Sequence, residues 1–403
     1  MEKKIYILAQ IYDEDGGSFC KVFKELAKLA YKQGYKVTVL CGLSSKKQKL
    51  YERLPYAEII RFPVPNKLPF LGLIIRGIFL ANRIKKYFKK NKVSQSDKIL
   101  ANGETALGVL NQKYIWRTSD QPAFTFLKNL ENAKEHSSLI SRLARAVHLS
   151  IHYFIEKLCI KNARAIIFAS QKSRQLFTQY YDAEKKAYFI PRSGVAVKEL
   201  KKGDKKIFTT GRKLLFVSSN AEKIRKGVTY LEKILPELFA KFKELKLIHV
   251  GDKFEWNVPE WCKERIISVG RVPWSRMKDY YKTADIFVSC SLHEGFPNAL
   301  LEAMAAGTPI VTSDIEGIEE YIRHGKEGLI FRRGDTKELR ECIEYLLKNP
   351  SIRKQMAEKA FARARTLDYS IYAKKLLYFI EKIYENEKDS QIHINLLERN
   401  KSI

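Results

Sequence analysis

The order of apolar runs constrains this chain's fold more than any other feature. KKIYILAQI (residues 3–11) is an apolar run of strand length and DEDGGSF is a turn. CKVFKELAKLAYKQG repeats apolar residues at Val22, Phe23, Leu26, Leu29 and Ala30 before stopping at Gly34, and YKVTVLCG is a second strand. A helix-period segment between two buried strands makes a parallel pair joined by a right-handed crossover. A second series opens at KLLFVSS. It runs through helix VTYLEKILPELFAKF, strand LKLIHVG, helix WSRMKDYYKTA, strand DIFVSC, helix NALLEAMAA, strand PIVTS, helix GIEEYIRH and strand GLIF. Two successive open α/β sheets predict two Rossmann-like domains with ligands at the carboxyl ends of their strands. The 403 residues suit two domains at roughly 100–200 residues each. The expected division is 1–200 and 210–365, with polar, basic VKELKKGDKKIFTTGR as the linker and helices filling 366–403.

Between the two series the alternation is weaker. RGIFLANRIKKYFKKN reads as a basic amphipathic helix, KILANGE and KYIWRTSD as strand ends, 122–162 as mostly helical and RAIIFAS as a strand.

Charge narrows the partners. Lys and Arg number 74 against 45 Asp and Glu, a net +29; residues 1–200 hold 36 basic and 16 acidic residues, a net +20. Such a surface attracts anions: nucleic acid, an anionic membrane face or phosphorylated substrates. Solvated lysine-rich helix faces account for it equally well. No recognition motif supports a nucleic-acid partner. The six cysteines form no C-x-x-C pair and read as reduced, mostly buried thiols. The start of the chain is too quickly polar for a signal peptide, and Leu68–Ala81, broken by Arg76, is too short to span a bilayer. A cytoplasmic protein is expected. The cationic Phe70–Lys92 stretch is readable either as a membrane-surface helix or as a packed helix with a charged outer face.

The chemistry concentrates in 285–331. A strand at Ile286–Val288 enters a loop, Pro297 stands where a helix begins with its φ already suitable, and Gly307 stands where it ends. The helix start would turn free N–H groups toward the ligand, a ready phosphate site. Gly295 leaves room for close approach. Glu294 precedes the helix, while Glu302 sits within it among Ala, Leu and Met, on one face with Asn298. A buried carboxylate needs donors, which ribose hydroxyls would supply. A loop charge and a solvent-facing helix residue are the plainer readings of the two. Earlier in the chain, Arg225-Lys226-Gly227 enters a helix after a strand, two cations suited to a diphosphate.

Glu294 and Glu302, with seven residues between them within EGFPNALLEAMAAGTPIV, resemble the E-x7-E motif of the family 4 glycosyltransferases. These are retaining enzymes of the GT-B fold, with two Rossmann-like domains facing each other across a cleft. The likeness implies hexose transfer from a nucleotide-sugar to a lipid-linked or cell-envelope glycan such as lipopolysaccharide. It implies no metal and no cofactor, and a peripheral place at the inner membrane face. By this resemblance Glu294 holds sugar hydroxyls, Gly295, Phe296 and Pro297 lie by the sugar, Asn298 and Ala299 face the diphosphate, and Glu302 binds ribose. Ser218-Ser219 replaces the family's frequent Gly-Arg step, so Arg225 takes the arginine role beside Lys226. Val269-Gly270-Arg271 is similar to the base-binding strand end, and Gly16-Gly17 to the glycine loop. WRTSDQP lacks the histidine that relatives place there, which leaves Arg117 and Asp120 as the polar groups on the acceptor side. The last helices would cross back to the first domain. Two rivals share these features, a nucleotide-sugar 2-epimerase and an inactive membrane-binding scaffold. Asp13-Glu14-Asp15 reads as a solvated acidic loop, and His148 with His152 lacks the Glu of a zinc H-E-x-x-H site.

Overall fold

The alternation builds two parallel sheets. The computed structural model describes residues 2–13, 18–43, 45, 48–65, 72–118, 139–168, 170–184, 186–190, 194–202, 210–218, 223–294, 297–315, 317–385 and 393–395. Two compact units result, Met1–Arg192 with Ser370–Ile403, and Ser193–Tyr369.

In the first unit the strands are β1 (Lys4–Ile11), β2 (Lys36–Gly42), β3 (Tyr51–Leu54), β4 (Ala57–Phe62), β5 (Lys98–Asn102), β6 (Ile115–Arg117), β7 (Ala165–Ile167) and β8 (Ala187–Ile190). The second unit holds β9 (Arg212–Ser218), β10 (Leu245–Gly251), β11 (Ile266–Gly270), β12 (Ile286–Ser289), β13 (Ile310–Ser313) and β14 (Leu329–Phe331), and β15 (His393–Asn395) returns to the first. The first sheet runs β15-β8-β7-β6-β5-β1-β2-β4-β3, parallel throughout except for the β3–β4 hairpin. That hairpin, two short half-exposed strands about Pro55-Tyr56, is absent from the sequence expectation. β15 likewise stands where only helices are expected, pairing with β8 at the sheet edge.

Helix Ser18–Lys32 buries Val22, Phe23, Leu26, Ala27 and Ala30 on one stripe and ends at Gly34, whose φ of +84° suits a left-handed cap. Ser370 onward completes this unit. Tyr384 Oη accepts from Ile99 N–H at 2.8 Å and donates to the Lys113 carbonyl at 2.5 Å. Tyr35 Oη donates to Glu381 at 2.9 Å, and Phe189 packs against Tyr372 and Phe379.

The second sheet runs β11-β10-β9-β12-β13-β14. Numbered within the unit this is 3-2-1-4-5-6, the doubly wound order, which reverses between β9 and β12. Neighbouring residues of β9 serve opposite layers. Leu214 and Phe216 pack with helix Val228–Lys241, and Leu215 packs with helices Trp274–Thr283 and Asn298–Ala306.

Two expectations need correction. The chain divides between Arg192 and Ser193 rather than at 200–210, because the supposed linker contributes helix Val197–Lys201, whose Val197 and Leu200 join the second unit's core with Val195. Val195 N–H donates to the Leu367 carbonyl at 2.8 Å, and its own carbonyl accepts from Tyr369 N–H at 3.2 Å, so the segments bounding this unit are paired. GIEEYIRH is only a 3-10 turn, Ile318–Glu320, after Gly317 at φ +80°. The Arg323 backbone and guanidinium bind the buried Glu327 carboxylate, which closes the chain into a turn.

Candidate active site

The order reversal in the second sheet brings two loops together, one leaving β9 and one leaving β12. After Ser218 the chain reaches the turn 223–227, and after Ser289 it reaches Glu294. Leu292 N–H donates to the Arg225 carbonyl at 2.8 Å, which joins the loops. Gly227, at φ +66°, starts helix Val228–Lys241; a Cβ there would lie 2.0 Å from the Cys290 carbonyl oxygen. Only glycine allows the two loops this separation.

Arg225 and Lys226 converge on Glu294. Arg225 Nη1 donates to Oε2 at 2.7 Å and to the His293 carbonyl at 2.9 Å. Lys226 Nζ and Ser291 Oγ donate to Oε1 at 2.6 and 2.7 Å. The carboxylate side chain is 9% exposed. Burial works against its ionisation, but Lys226, Ser291 and Arg225 outweigh that and hold its pKa below the ordinary value. The trio carries a net charge of about +1 when all three are ionised, so it still attracts an anion.

Pro297 is buried and caps helix Asn298–Ala306 from one position earlier than expected; its carbonyl accepts the first helical bond, from Leu301. Pro297 as N-cap gives this start no side-chain hydrogen bond and no acidic residue stands in its first turn, while Gly307 ends the helix at φ +75°. Glu302 is not a solvent-facing charge. Trp274 Nε1 and Tyr281 Oη donate to its two oxygens at 2.7 and 2.9 Å. Arg271 follows β11, exposed, and forms a two-pronged pair with Asp252 after β10. Lys223 turns to the Glu255 carbonyl and to Glu232.

At the end of β10, His249 is fully buried against Phe254 and Trp256, its Nε2 3.1 Å from Ser218 Oγ. Desolvation lowers its pKa against the Ser218 bond and the Asp252 charge, so a neutral imidazole braces the end of β9.

In the first unit Arg117 Nη1 reaches the Asn102 side-chain oxygen at 3.3 Å. Gly16, Gly17, Asp120, Gly295 and Phe296 lie outside the described residues. All six cysteines are buried and unbonded. Among the described residues no group of three His, Cys, Asp or Glu could hold a metal, and no helix is long and apolar enough to cross a membrane.

One polar group here escaped the sequence reading. Gln10, Glu104 and His152 meet at the carboxyl ends of β1 and β5. The available signal was a glutamate directly behind a buried strand, in ANGE.

Residues 211–349 match the family model of the glycosyl transferases group 1. An N,N'-diacetylbacillosaminyl-diphospho-undecaprenol alpha-1,3-N-acetylgalactosaminyltransferase of Campylobacter jejuni is 22% identical over 379 residues, 87% of this chain and 96% of that protein. The phosphatidyl-myo-inositol mannosyltransferase of Mycobacterium leprae is 27% identical over 186 residues, 45% of this chain; the match spans about half of that relative (50%). Among solved structures, sucrose-phosphate synthase of Thermosynechococcus elongatus has a TM-score of 0.73 at 16% identity, covering 95% of this chain and 99% of that one. Anabaena HepE in complex with UDP-glucose has a TM-score of 0.63 at 18% identity, covering 95% and 98%. Joined to a β9/β12 switch point that carries Glu294 and to two Rossmann-like units, these likenesses show the GT-B fold and place residues 211–349 with the glycosyl transferases group 1.

Proposed function

We propose that this chain transfers a hexose from a nucleotide-sugar to a lipid-linked or cell-envelope glycan acceptor, with retention at the anomeric carbon. The observation that carries this reading is the convergence of Arg225 and Lys226 on buried Glu294, which leads into a helix start whose N-cap is a proline. The acceptor oxygen bonds to the anomeric carbon as the bond from that carbon to the diphosphate breaks, and the hydroxyl proton leaves with the departing phosphate. Arg225, Lys226 and the N–H groups of Asn298 and Ala299 counter the growing negative charge, so the chain's own cations do this work without a metal. Glu294 accepts from sugar hydroxyls, with Gly295, Phe296 and Pro297 along the sugar. Glu302, steadied by Trp274 and Tyr281, offers its remaining lone pairs to ribose. Arg271 lies by the base, Gly16 and Gly17 by the donor, and Arg117 and Asp120 serve the acceptor. The bound UDP-glucose of the Anabaena neighbour supports the donor class, and the undecaprenol-linked name of the Campylobacter relative supports the acceptor class.

A thermal-shift screen against UDP-, GDP- and ADP-sugars tests this. One nucleotide class should raise the melting temperature by several degrees, since ligand at a hundred times its Kd adds about 2.7 kcal/mol. Replacing Arg225 and Lys226 together with alanine should erase the shift; a double variant that keeps it would mean the diphosphate docks elsewhere.

We also propose peripheral contact with an anionic membrane. On helix Gly72–Lys90, Ile75, Ile78 and Phe79 are exposed, with Arg76 and Arg83 among them and Lys85, Lys86, Lys89 and Lys90 following. Each cation near such a surface contributes about 1 kcal/mol. Ile78→Glu with Phe79→Glu should cut co-sedimentation with phosphatidylglycerol vesicles several-fold, and equal pelleting of both proteins would reject the contact.

A further inference from the structure

We propose that Gln10, Glu104 and His152 form a subsite in the first unit that takes the vicinal hydroxyls of a sugar. It rests on the transferase reading and gives the acceptor a defined foothold.

Position is the first argument. From β1 the first sheet grows outward through β2 and β4, and from β5 it grows the opposite way through β6, β7 and β8. The order therefore reverses between β1 and β5, where open α/β sheets bind ligands. Gln10 stands near the end of β1, and Glu104 lies two residues past β5 in the 3-10 turn Gly103–Val109. His152 comes from helix Leu139–Asn162, with the His148 ring 5.0 Å away one turn earlier.

The second argument is electrostatic. Glu104 is 7% exposed. Among the described residues its side-chain neighbours are Gln10 Nε2 on Oε2 and His152 Nδ1 at 3.4 Å from Oε1, an amide and an imidazole rather than a lysine or arginine. Holding a carboxylate in such company is costly. The chain nevertheless fixes it there. Gly103 makes the turn at φ +55° while its carbonyl accepts from Trp116 Nε1 at 3.1 Å. A Cβ on Gly77 would come within 2.8 Å of the Glu104 Cβ, so glycine on helix Gly72–Lys90 is what seats this side chain. A buried charge held by such means belongs to a site rather than to a core.

Chemistry selects the ligand. A carboxylate accepts about four hydrogen bonds, and the two neighbours supply at most two. The negative charge disfavours phosphate and carboxylate ligands. Hydroxyl groups fit: they donate to Glu104 and exchange hydrogen bonds with the Gln10 amide and the His152 ring.

The test titrates the full-length protein with methyl glycosides of glucose, galactose, mannose and N-acetylglucosamine, using ligand-observed NMR. At least one should bind, and Glu104→Gln and His152→Asn should each weaken it tenfold or more. The thermal shift given by whichever of UDP, GDP and ADP stabilises the parent should persist in both variants, and Glu104→Gln should melt no lower than the parent, because it removes a buried charge. Should Glu104→Gln fail to fold, Gln10→Ala carries the same expectation. Glycoside affinity that survives these changes, a fall in melting temperature as the sole effect, or a parent that binds no glycoside each overturns the subsite. A parent that shifts with none of UDP, GDP and ADP but shows Glu104-dependent glycoside binding keeps the subsite and rejects the donor reading.

Discussion

Glu294→Gln will lower sugar transfer by about a hundredfold or more while leaving nucleoside diphosphate binding intact or tighter. The carboxylate neutralises part of the charge on Arg225 and Lys226, to which it is bound at 2.7 and 2.6 Å. With a neutral amide in its place both cations remain and the local charge rises, which favours the anionic leaving group. In the proposed role the acceptor of sugar hydroxyls is lost, so the cost falls on chemistry. The opposite deletion separates the roles. Lys226→Ala should weaken diphosphate binding and also lower stability by about 1–3 kcal/mol, because a 9%-exposed carboxylate then keeps, among the described residues, Arg225 and Ser291 as side-chain partners. Calorimetric titration with UDP, GDP and ADP beside a transfer assay distinguishes them. Parallel losses in binding and turnover for Glu294→Gln would remove Glu294 from the sugar-binding role.

Gly227→Ala should strongly destabilise the second unit. The position is left-handed at φ +66°, which costs a side chain about 1–2 kcal/mol. The added carbon would also sit 2.0 Å from the Cys290 carbonyl oxygen and 3.0 Å from the Tyr230 ring. The first of these is backbone at the end of β12, so relief requires the two loops to part, an overpacking cost of about 1–3 kcal/mol more. A total of about 2–5 kcal/mol corresponds to roughly 10 °C of melting temperature for a unit of this size. Because the Leu292–Arg225 backbone bond joins the same loops, the surviving fold should also transfer sugar more slowly. Differential scanning calorimetry checks the first effect. A melting temperature within a degree of the parent would mean the loops are not held this closely in solution.

Much of the fold was legible because the apolar runs are long and the helix stripes regular, as in Ser18–Lys32 and Val228–Lys241. What was misread is short or decided by distant partners. The β3 strand has four residues with alternating exposure, and β15 has three, so neither offers a run long enough to register. GIEEYIRH has helical residues, but the Arg323–Glu327 pair and Gly317 decide its path. The site divides the same way. Glu294, Arg225 and Lys226 were each identifiable, yet their meeting depends on strand order, with Arg225 and Lys226 lying 69 and 68 positions from Glu294. For Glu302, which sequence leaves undecided between solvent and ligand, Trp274 and Tyr281 settle the surroundings. Gln10 and Glu104 are 94 residues apart, and His152 drew notice only as a zinc ligand it does not resemble.

The first unit is discontinuous, and synthesis order therefore matters. Until Tyr384, Glu381 and β15 emerge, Ile99, Tyr35 and β8 lack their native partners. Residues 193–369 have already left the ribosome by then and can fold as a finished body. The unit translated first is thus the last to mature, and a premature stop anywhere in the final helix strands it half-built beside a completed neighbour.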